Sequence, residues 1–414
     1  MRKEEVIPSH WKLKKLGEVA VYLNGRAFKP SEWEKTGKPI IRIQNLNKDS
    51  ATYNYTNHQF EDKYKVEKGD LLYAWSASLG VFIWNGNTAW LNQHIFKVIP
   101  RDTSDKKFLF YFLEKITSEI YSKAHGSGMV HVTKGKFEAT EIPFPPLPEQ
   151  QVIVAKIEEL LSELDNGKQQ LQTAQQQLKV YRQSLLKWAF EGKLTNKDVE
   201  EGELPKGWKW VNPTDIASPE KYSIGIGPFG SNLKVSDYKP TGVPLIFVKN
   251  ITRRNFSLVQ KFISTEKFKE LMPHSVKPLD ILITKMGDPP GDCAIYPESS
   301  AEAVITSDCL KLTVNEKVAN RKYIFYVLQT QMVKRQLELI TKGVAQKKIS
   351  LQRFRNIKIP LTTLEEQNLI VAELESKITV CDKIEETISQ SLLQAETLRQ
   401  SILKKAFEGR LINN

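Results

Sequence analysis

The sequence predicts an α+β protein whose plan is written twice: a mixed α/β block, a long polar helix, a second mixed block and a second long helix. Three observations carry this. Residues 149–194 match residues 366–411 without a gap, at a constant offset of 217 and with 18 identities in 46 positions. Both copies keep an apolar seam spaced by sevens. The positive charge sits almost wholly outside these two segments.

The first block, residues 1–148, contains short β-branched runs such as PIIRI and a helix-like FLFYFLEKITSEI. Strand-like and helical segments alternate there, as in a mixed domain. The first helix, 149–194, follows the proline-rich IPFPPLPEQ, which no helix can run through. Its seam is Ile157, Leu164, Leu171, Leu178 and Leu185, a coiled-coil-like spacing. The surface around that seam (GKQQLQTAQQQLK) is too polar for a helix lying on a globular core. Some 40 residues would make a rod of roughly 60 Å. Gly167 weakens it by about 1 kcal/mol relative to alanine. Glu149 suits the positive N-terminal end, and Gly192 suits a left-handed stop.

Residues 195–203, TNKDVEEGE, read as a polar linker. The second block, 204–363, repeats the first more distantly. Pro8-Ser-His-Trp11 resembles Pro205-Lys-Gly-Trp208, GKPIIRIQN resembles GVPLIFVKN, and KFLFYFL resembles KYIFYVL. The offset between such pairs drifts from 197 to 217, as loops that gain and lose residues produce. PLIFV and DILIT read as strands and YIFYVLQTQMVKRQLELI as one helix. The second long helix, 364–414, has the seam Leu374, Cys381, Ile388, Ala395 and Ile402, and Gly409 at its stop.

Charge follows the same plan. Residues 1–148 carry a net +6 and residues 204–363 a net +12, whereas 149–203 and 364–414 carry −3 each. Two basic modules on slightly acidic spacers suit a polyanion partner. The three cysteines (Cys293, Cys309, Cys381) form no CxxC pair, which supports neither a disulfide framework nor a zinc ribbon and suits reduced thiols in a cytosol. No apolar run reaches about 18 residues and the N-terminus shows no secretory signal, so neither a membrane span nor export is expected.

Catalytic signatures fail on inspection. GIGPFG from Gly225 has dinucleotide-loop spacing, but Pro228 and the following SNLK favour a turn. DPPG from Asp288 lacks the aromatic residue that stacks on a flipped adenine. No HExxH, GxxxxGK[ST] or GxSxG occurs, and His125 and His131 lack a third ligand.

PPLPEQ at 145–150, LEEQ at 364–367, the two AFEG[KR]L segments, PKGW at 205–208 and GPFGSNLKVSDY at 227–238 carry a resemblance. The chain resembles the specificity (S) subunit of type I restriction-modification systems over nearly its whole length. The first block has NGRAF where the second has GPFGS, which leaves the target sequence open. The resemblance implies two target recognition domains, each reading half of a bipartite double-stranded DNA site. The two rods would pack antiparallel with pseudo-twofold symmetry and set the spacer. Partners would be two adenine-N6 methyltransferase (M) subunits and two ATP-dependent restriction (R) subunits. The chain would bind no cofactor or metal itself, with S-adenosylmethionine, ATP and Mg belonging to the partners. Catalysis would lie in them, and the chain would be cytoplasmic. A self-sufficient methyltransferase or nuclease, or a coiled-coil scaffold that binds only proteins, stays open as an alternative.

Polar and cationic residues in loops at strand ends are the candidates for reading DNA. In the first block these are Arg26, Lys29, Arg42, Gln44, Asn45, Trp75, Ser76, Ser78, Asn92, Gln93, His94, Ser127, His131 and Lys134. In the second they are Ser231, Asn232, Lys234, Lys249, Asn250, Arg253, Arg254, Lys285, Gln346, Lys347 and Lys348. Asn45 and Asn250 follow equivalent strands and could equally end them. Trp11 and Trp208 suit a core better than a stacking platform.

Overall fold

The structure, a computed structural model, describes residues 7–48, 50–123, 133–196, 199–200, 203–258, 260–287, 290–339 and 348–412. The chain forms two compact units: Met1–Gln172 with Ser389–Asn414, and Thr173–Ile388. Each mixed block therefore shares a unit with the start of one long helix and the end of the other. The expected boundaries at 148, 194, 203 and 363 divide the chain by element instead.

In the first unit, one antiparallel sheet runs in the order Ala20–Asn24, Ile95–Pro100, Leu71–Ala74, Gly80–Ile83. A second runs Asn54–Thr56, Lys38–Ile41, Ala89–Leu91, Lys65–Val66, with a parallel pair at its centre. A ribbon pairs Lys12–Lys15 with Glu141–Phe144. The second unit repeats this topology. Its sheets run Ile224–Ile226, Cys309–Leu312, Ile281–Thr284, Cys293–Ile295 and Phe262–Ile263, Val243–Ile246, Ala303–Ile305, Ser275–Val276. Its ribbon pairs Lys209–Val211 with Ile359–Leu361. The strands are short and β-branched, and those at the sheet centres are buried on both faces, so they lack polar alternation.

A lysine bridges the two sheets of each unit. Lys97 donates to the Lys65 carbonyl (2.9 Å) and pairs with Asp70 (2.8 Å). Lys311, at the equivalent place, donates to the Ser275 carbonyl beside Asp280, and burial lowers its pKa.

The long helices span Leu147–Phe190 and Leu364–Phe407. Lys106–Lys123 is a single helix as expected, but its counterpart is two, Arg321–Leu328 and Gln331–Leu339. The break falls at Thr330, whose hydroxyl oxygen accepts from the Val333 N–H (3.3 Å) and so starts the second helix afresh. The PIIRI and PLIFV runs also end early, turning at Arg42 and Phe247 into the short helices Ile43–Asn47 and Val248–Thr252.

The repeated segments anchor each unit in the same way. In the first unit, Phe407 is buried with its ring edge-on to Phe108 (5.1 Å) and Phe112 (5.1 Å). In the second, Phe190 meets Tyr323 (5.0 Å). Gly409 (φ +70°) and Gly192 (φ +77°) follow in the left-handed region that ends a helix. A Cβ there would lie 2.3 Å from Pro8 and 2.1 Å from Pro205, respectively.

At the other end of each helix, Glu149 accepts from the Trp11 indole (2.9 Å) and Glu366 from the Trp208 indole (3.1 Å). Both tryptophans are buried. The next residue, Gln150 or Gln367, is also buried and bonds three backbone groups around the joint. The seam residues Ile157, Leu185, Leu374, Cys381, Ile388, Ala395 and Ile402 are buried, and Leu164, Leu171 and Leu178 are half-buried.

Ion pairs orient the helices within each unit. In the first, Asp165 faces Arg399 (3.8 Å) and Lys168 faces Glu396 (3.3 Å), so numbering rises along one helix as it falls along the other. In the second, Arg182 faces Asp382 (2.7 Å) and Glu385 (3.0 Å). Asp165 and Asp382, like Arg182 and Arg399, are related by the 217-residue offset, so the two pairs are reciprocal.

Candidate nucleic-acid interface

In both units, four loops leave the sheets at one end and are stitched together through their backbones. In the first unit these follow strands 20–24, 38–41, 71–74 and 89–91. Arg26 N–H donates to Leu91 O (2.8 Å), Gln93 N–H to Arg26 O (3.0 Å), Asn92 N–H to Ile41 O (3.1 Å) and Trp75 N–H to His94 O (3.2 Å). Eleven candidates therefore gather there: Arg26, Lys29, Arg42, Gln44, Asn45, Trp75, Ser76, Ser78, Asn92, Gln93 and His94.

In the second unit the equivalent loops follow 224–226, 243–246, 281–284 and 303–305. Gly227 N–H donates to Cys309 O (3.1 Å), Thr306 N–H to Ile246 O (3.0 Å) and Lys285 N–H to Asp308 O (2.7 Å). Lys348 joins through a bridge to Met286. This brings together Ser231, Asn232, Lys234, Lys249, Asn250, Arg253, Arg254, Lys285 and Lys348. Gly227 explains the GIGPFG motif: a Cβ there would lie 1.9 Å from the Thr306 carbonyl oxygen, so only glycine lets the loops close. The motif is a strand end and a tight backbone crossing.

Several chosen side chains are taken up by the scaffold. Asn45 accepts from the Arg42 N–H (3.0 Å) and donates to Thr52 O (3.1 Å). Asn250 accepts from the Phe247 N–H (2.9 Å) and donates to Asn255 O (3.1 Å). Both are buried and cap the short helix after their strand. Ser76 is buried in the turn that Ser78 N–H closes onto its carbonyl (2.7 Å), with Ala77 in the left-handed region (φ 61°).

Arg26 forks onto Glu32 with bonds of 2.9 and 2.6 Å and lies over the Phe60 ring (4.2 Å). That pairing with Arg26 holds the Glu32 carboxyl down at about 2. Trp75 stacks on Phe96 (5.7 Å) and meets His94 edge-on (5.4 Å). Arg254, with φ 48°, donates to Gln329 (2.5 Å) and covers Phe325 (5.2 Å). Burial lowers the Lys285 pKa, and its ammonium donates to Ser307 O (3.2 Å).

The remaining candidates are exposed or half-buried. Lys29, Gln44 and Gln93 are exposed in the first unit, with Arg42, Ser78, Asn92 and His94 half-buried. Arg42 lies over the Trp33 ring (5.6 Å). Ser231, Asn232, Lys234, Lys249, Arg253 and Lys348 are exposed in the second. Lys134 sits on the short helix Lys134–Glu138 and pairs with Glu138 (3.6 Å). Ser127, His131, Gln346 and Lys347 lie outside the described residues, as do Asp288 and Pro289 of the DPPG motif. Sequence reasoning passed over Phe229, the aromatic residue of GPFGS, which is 74% exposed. It also passed over the Lys97 and Lys311 bridges, whose signal was a lysine at the same place in both halves.

The two equivalent loop faces thus lie on a duplicated scaffold. The chain belongs to the family described as the type I restriction modification DNA specificity domain, whose profile matches residues 8–176 and 236–394. Specificity subunits are the DNA-recognition components of these systems and not their catalysts. The chain is 29% identical to the type I restriction enzyme EcoBI specificity subunit of Escherichia coli, over 98% of this chain and 87% of that protein. It is 24% identical to the MjaVIII specificity subunit of Methanocaldococcus jannaschii, over 98% and 94% of the two chains. Its fold matches a chain in a structure reported for complex assembly and conformational transition of the type I R-M system, with TM-score 0.72, 21% identity and 98% and 99% coverage. It also matches the HsdS subunit from Thermoanaerobacter tengcongensis, with TM-score 0.57, 22% identity and 98% of each chain covered. Among the described residues no helix is long and apolar enough to cross a membrane.

Proposed function

We propose that each unit reads one half of a bipartite double-stranded DNA site through the loop face just described. The observation that carries this is the convergence of equivalent loops at one end of equivalent sheets in both basic blocks. A duplicated scaffold that keeps its hubs and varies its loop tips suits two half-sites of different sequence. Exposed Lys29, Lys234, Lys249 and Arg253 would hold phosphates. Asn92, Gln93, Ser231 and Asn232 have the donors and acceptors to read base edges.

The paired helices would fix the spacing and dock two adenine-N6 methyltransferase subunits, with two ATP-dependent restriction subunits completing the complex. S-adenosylmethionine, ATP and Mg would act in those partners, in the cytoplasm. The test is a genome-wide map of modified adenine with and without this gene, its methyltransferase partner left intact. A two-part motif with a fixed gap is expected to lose methylation. An unchanged map with the partner expressed would overturn the reading.

A further inference from the structure

The second unit holds a cavity away from its converging loops. Its volume is about 410 Å³, and Thr214, Ser218, Tyr222, Ser223 and Arg355 line it. Small-molecule sites span roughly 300–1,000 Å³. The cavity lies ahead of the strand Ile224–Ile226, whereas the recognition loop follows that strand, so it opens at the other end of the sheet. Arg355, at the end of the short helix Leu351–Arg355, is half-buried, and its Nε–H is enclosed without an acceptor. Among the described residues it makes no ion pair. Half-buried Arg26, Arg182 and Arg399, by contrast, each face a carboxylate. An enclosed N–H on a cation without an acceptor is costly, so one should arrive from outside.

Among the described residues no carboxylate lines the cavity. The acids nearby in the chain are taken: Asp215 accepts from the Asn212 N–H (2.7 Å), and Glu220 pairs with Lys277 (2.7 Å). The first unit fills the same place differently. Its matching helix, Lys134–Glu138, puts Glu138 where the second has Arg355, at the 217-residue offset. Gly17 stands where the second has Thr214, and a Cβ on it would lie 3.3 Å from the Glu138 Cβ. A carboxylate and a glycine in one half thus correspond to a guanidinium and a hydroxyl in the other. Tyr222 is exposed and held in the left-handed region (φ 66°), a strained conformation that clusters at binding sites. A guanidinium among hydroxyls, with no acid beside it, suits an oxyanion, and its planar fork matches a phosphate. We propose that this cavity is a phosphate-binding site peculiar to the second unit, with Arg355 forking onto two phosphate oxygens and the Ser218 and Ser223 hydroxyls donating beside it. The phosphate comes either from a small free molecule or from a DNA backbone that continues past the loop face.

The test uses the full chain, with inorganic phosphate as the probe in calorimetric titration. Arg355→Gln should weaken phosphate binding about ten-fold or more, as loss of a charged hydrogen-bonded contact does. Arg355→Glu, which gives the second half the residue of the first, should abolish it. Lys209→Gln, at an exposed lysine of the neighbouring ribbon, should leave it unchanged. A measurement on the wild-type chain covers the case of a misfolded variant: phosphate should protect Arg355 from phenylglyoxal, read by mass spectrometry, and should not protect exposed Arg253.

The source is read from duplex binding. A DNA backbone in the cavity predicts that Arg355→Gln lowers the salt slope by about one, whereas a free molecule predicts an unchanged slope with phosphate binding lost. If neither phosphate binding nor the salt slope depends on Arg355, the proposal is overturned. Phosphate binding needs no DNA reading, so this site and the function proposed above can each fail alone.

Discussion

Phe407→Ala tests whether the last helical turn belongs energetically to the first recognition block, almost 300 residues upstream. The Phe407 side chain is 2% exposed and meets both Phe108 and Phe112 edge-on, within a core that also holds Trp11, Leu109 and Ile153. Truncating a phenylalanine so enclosed costs about 3–5 kcal/mol, cavity included. The two aromatic contacts, worth ~0.5–1.5 kcal/mol each beyond area, put the cost toward the upper part of that range. For amides that exchange only through global opening of the unit, this is roughly two to four powers of ten in rate. The assay is hydrogen exchange on the full chain, read over the helix Lys106–Lys123. Phe190→Ala is the matched control and should act on Arg321–Leu328 instead, since Phe190 packs on Tyr323. If Phe407→Ala left Lys106–Lys123 protected while exposing Arg321–Leu328, the assignment of the helix end to the first unit would be wrong.

Four further outcomes follow from the same geometry. Gly192→Ala should lower stability by more than the ~1–2 kcal/mol of left-handed strain alone, because the new Cβ also meets Pro205; urea unfolding measures it. Burial pushes the Glu366 carboxyl up, but bonds from Thr362, Thr195, Asn196 and Trp208 outweigh this and hold its pKa below the ordinary value. The resulting stability is present above the unfolded-state pKa, near 4.3, and is lost as pH falls through the depressed one. Acid titration of the urea midpoint should show a loss that Glu366→Gln flattens. Asn250→Ala should cost about 2–4 kcal/mol by orphaning two backbone groups, whereas exposed Arg253→Ala should stay within ~0.5 kcal/mol in the same unfolding assay. If Arg253 holds a phosphate, Arg253→Ala should also reduce the salt slope of DNA binding by about one.

The plan of the fold was legible because it is written twice. Two gapless helices with the same entry, EQ, and the same exit, AFEG, stand out whatever the loops between them do. The strands were legible as β-branched runs, yet their ends were not. Asn45 and Asn250 carry the same local signal whether they read DNA or cap a turn, and only the neighbouring backbone decides. Thr330 interrupts a helix that apolar periodicity alone would continue. The unit boundaries inside the long helices leave no mark in composition, because a helix passing from one unit to the next remains a helix. Asp165, Asp382, Arg182 and Arg399 were visible as identities, but their pairing depends on register between segments 200 or more residues apart.

The division of the chain into units also sets an order in time. The second unit is one continuous stretch, Thr173–Ile388, whereas the first needs Ser389–Asn414 to close over Phe108 and Phe112. At about 5–20 residues per second, the ribosome adds the 217 residues from 172 to 389 in roughly ten to forty seconds. Throughout that interval the block made first stays without its last helical turn, its apolar face open. The block made second has all its parts before the first is complete. A chain cut short near its end would therefore fail in the domain it began with.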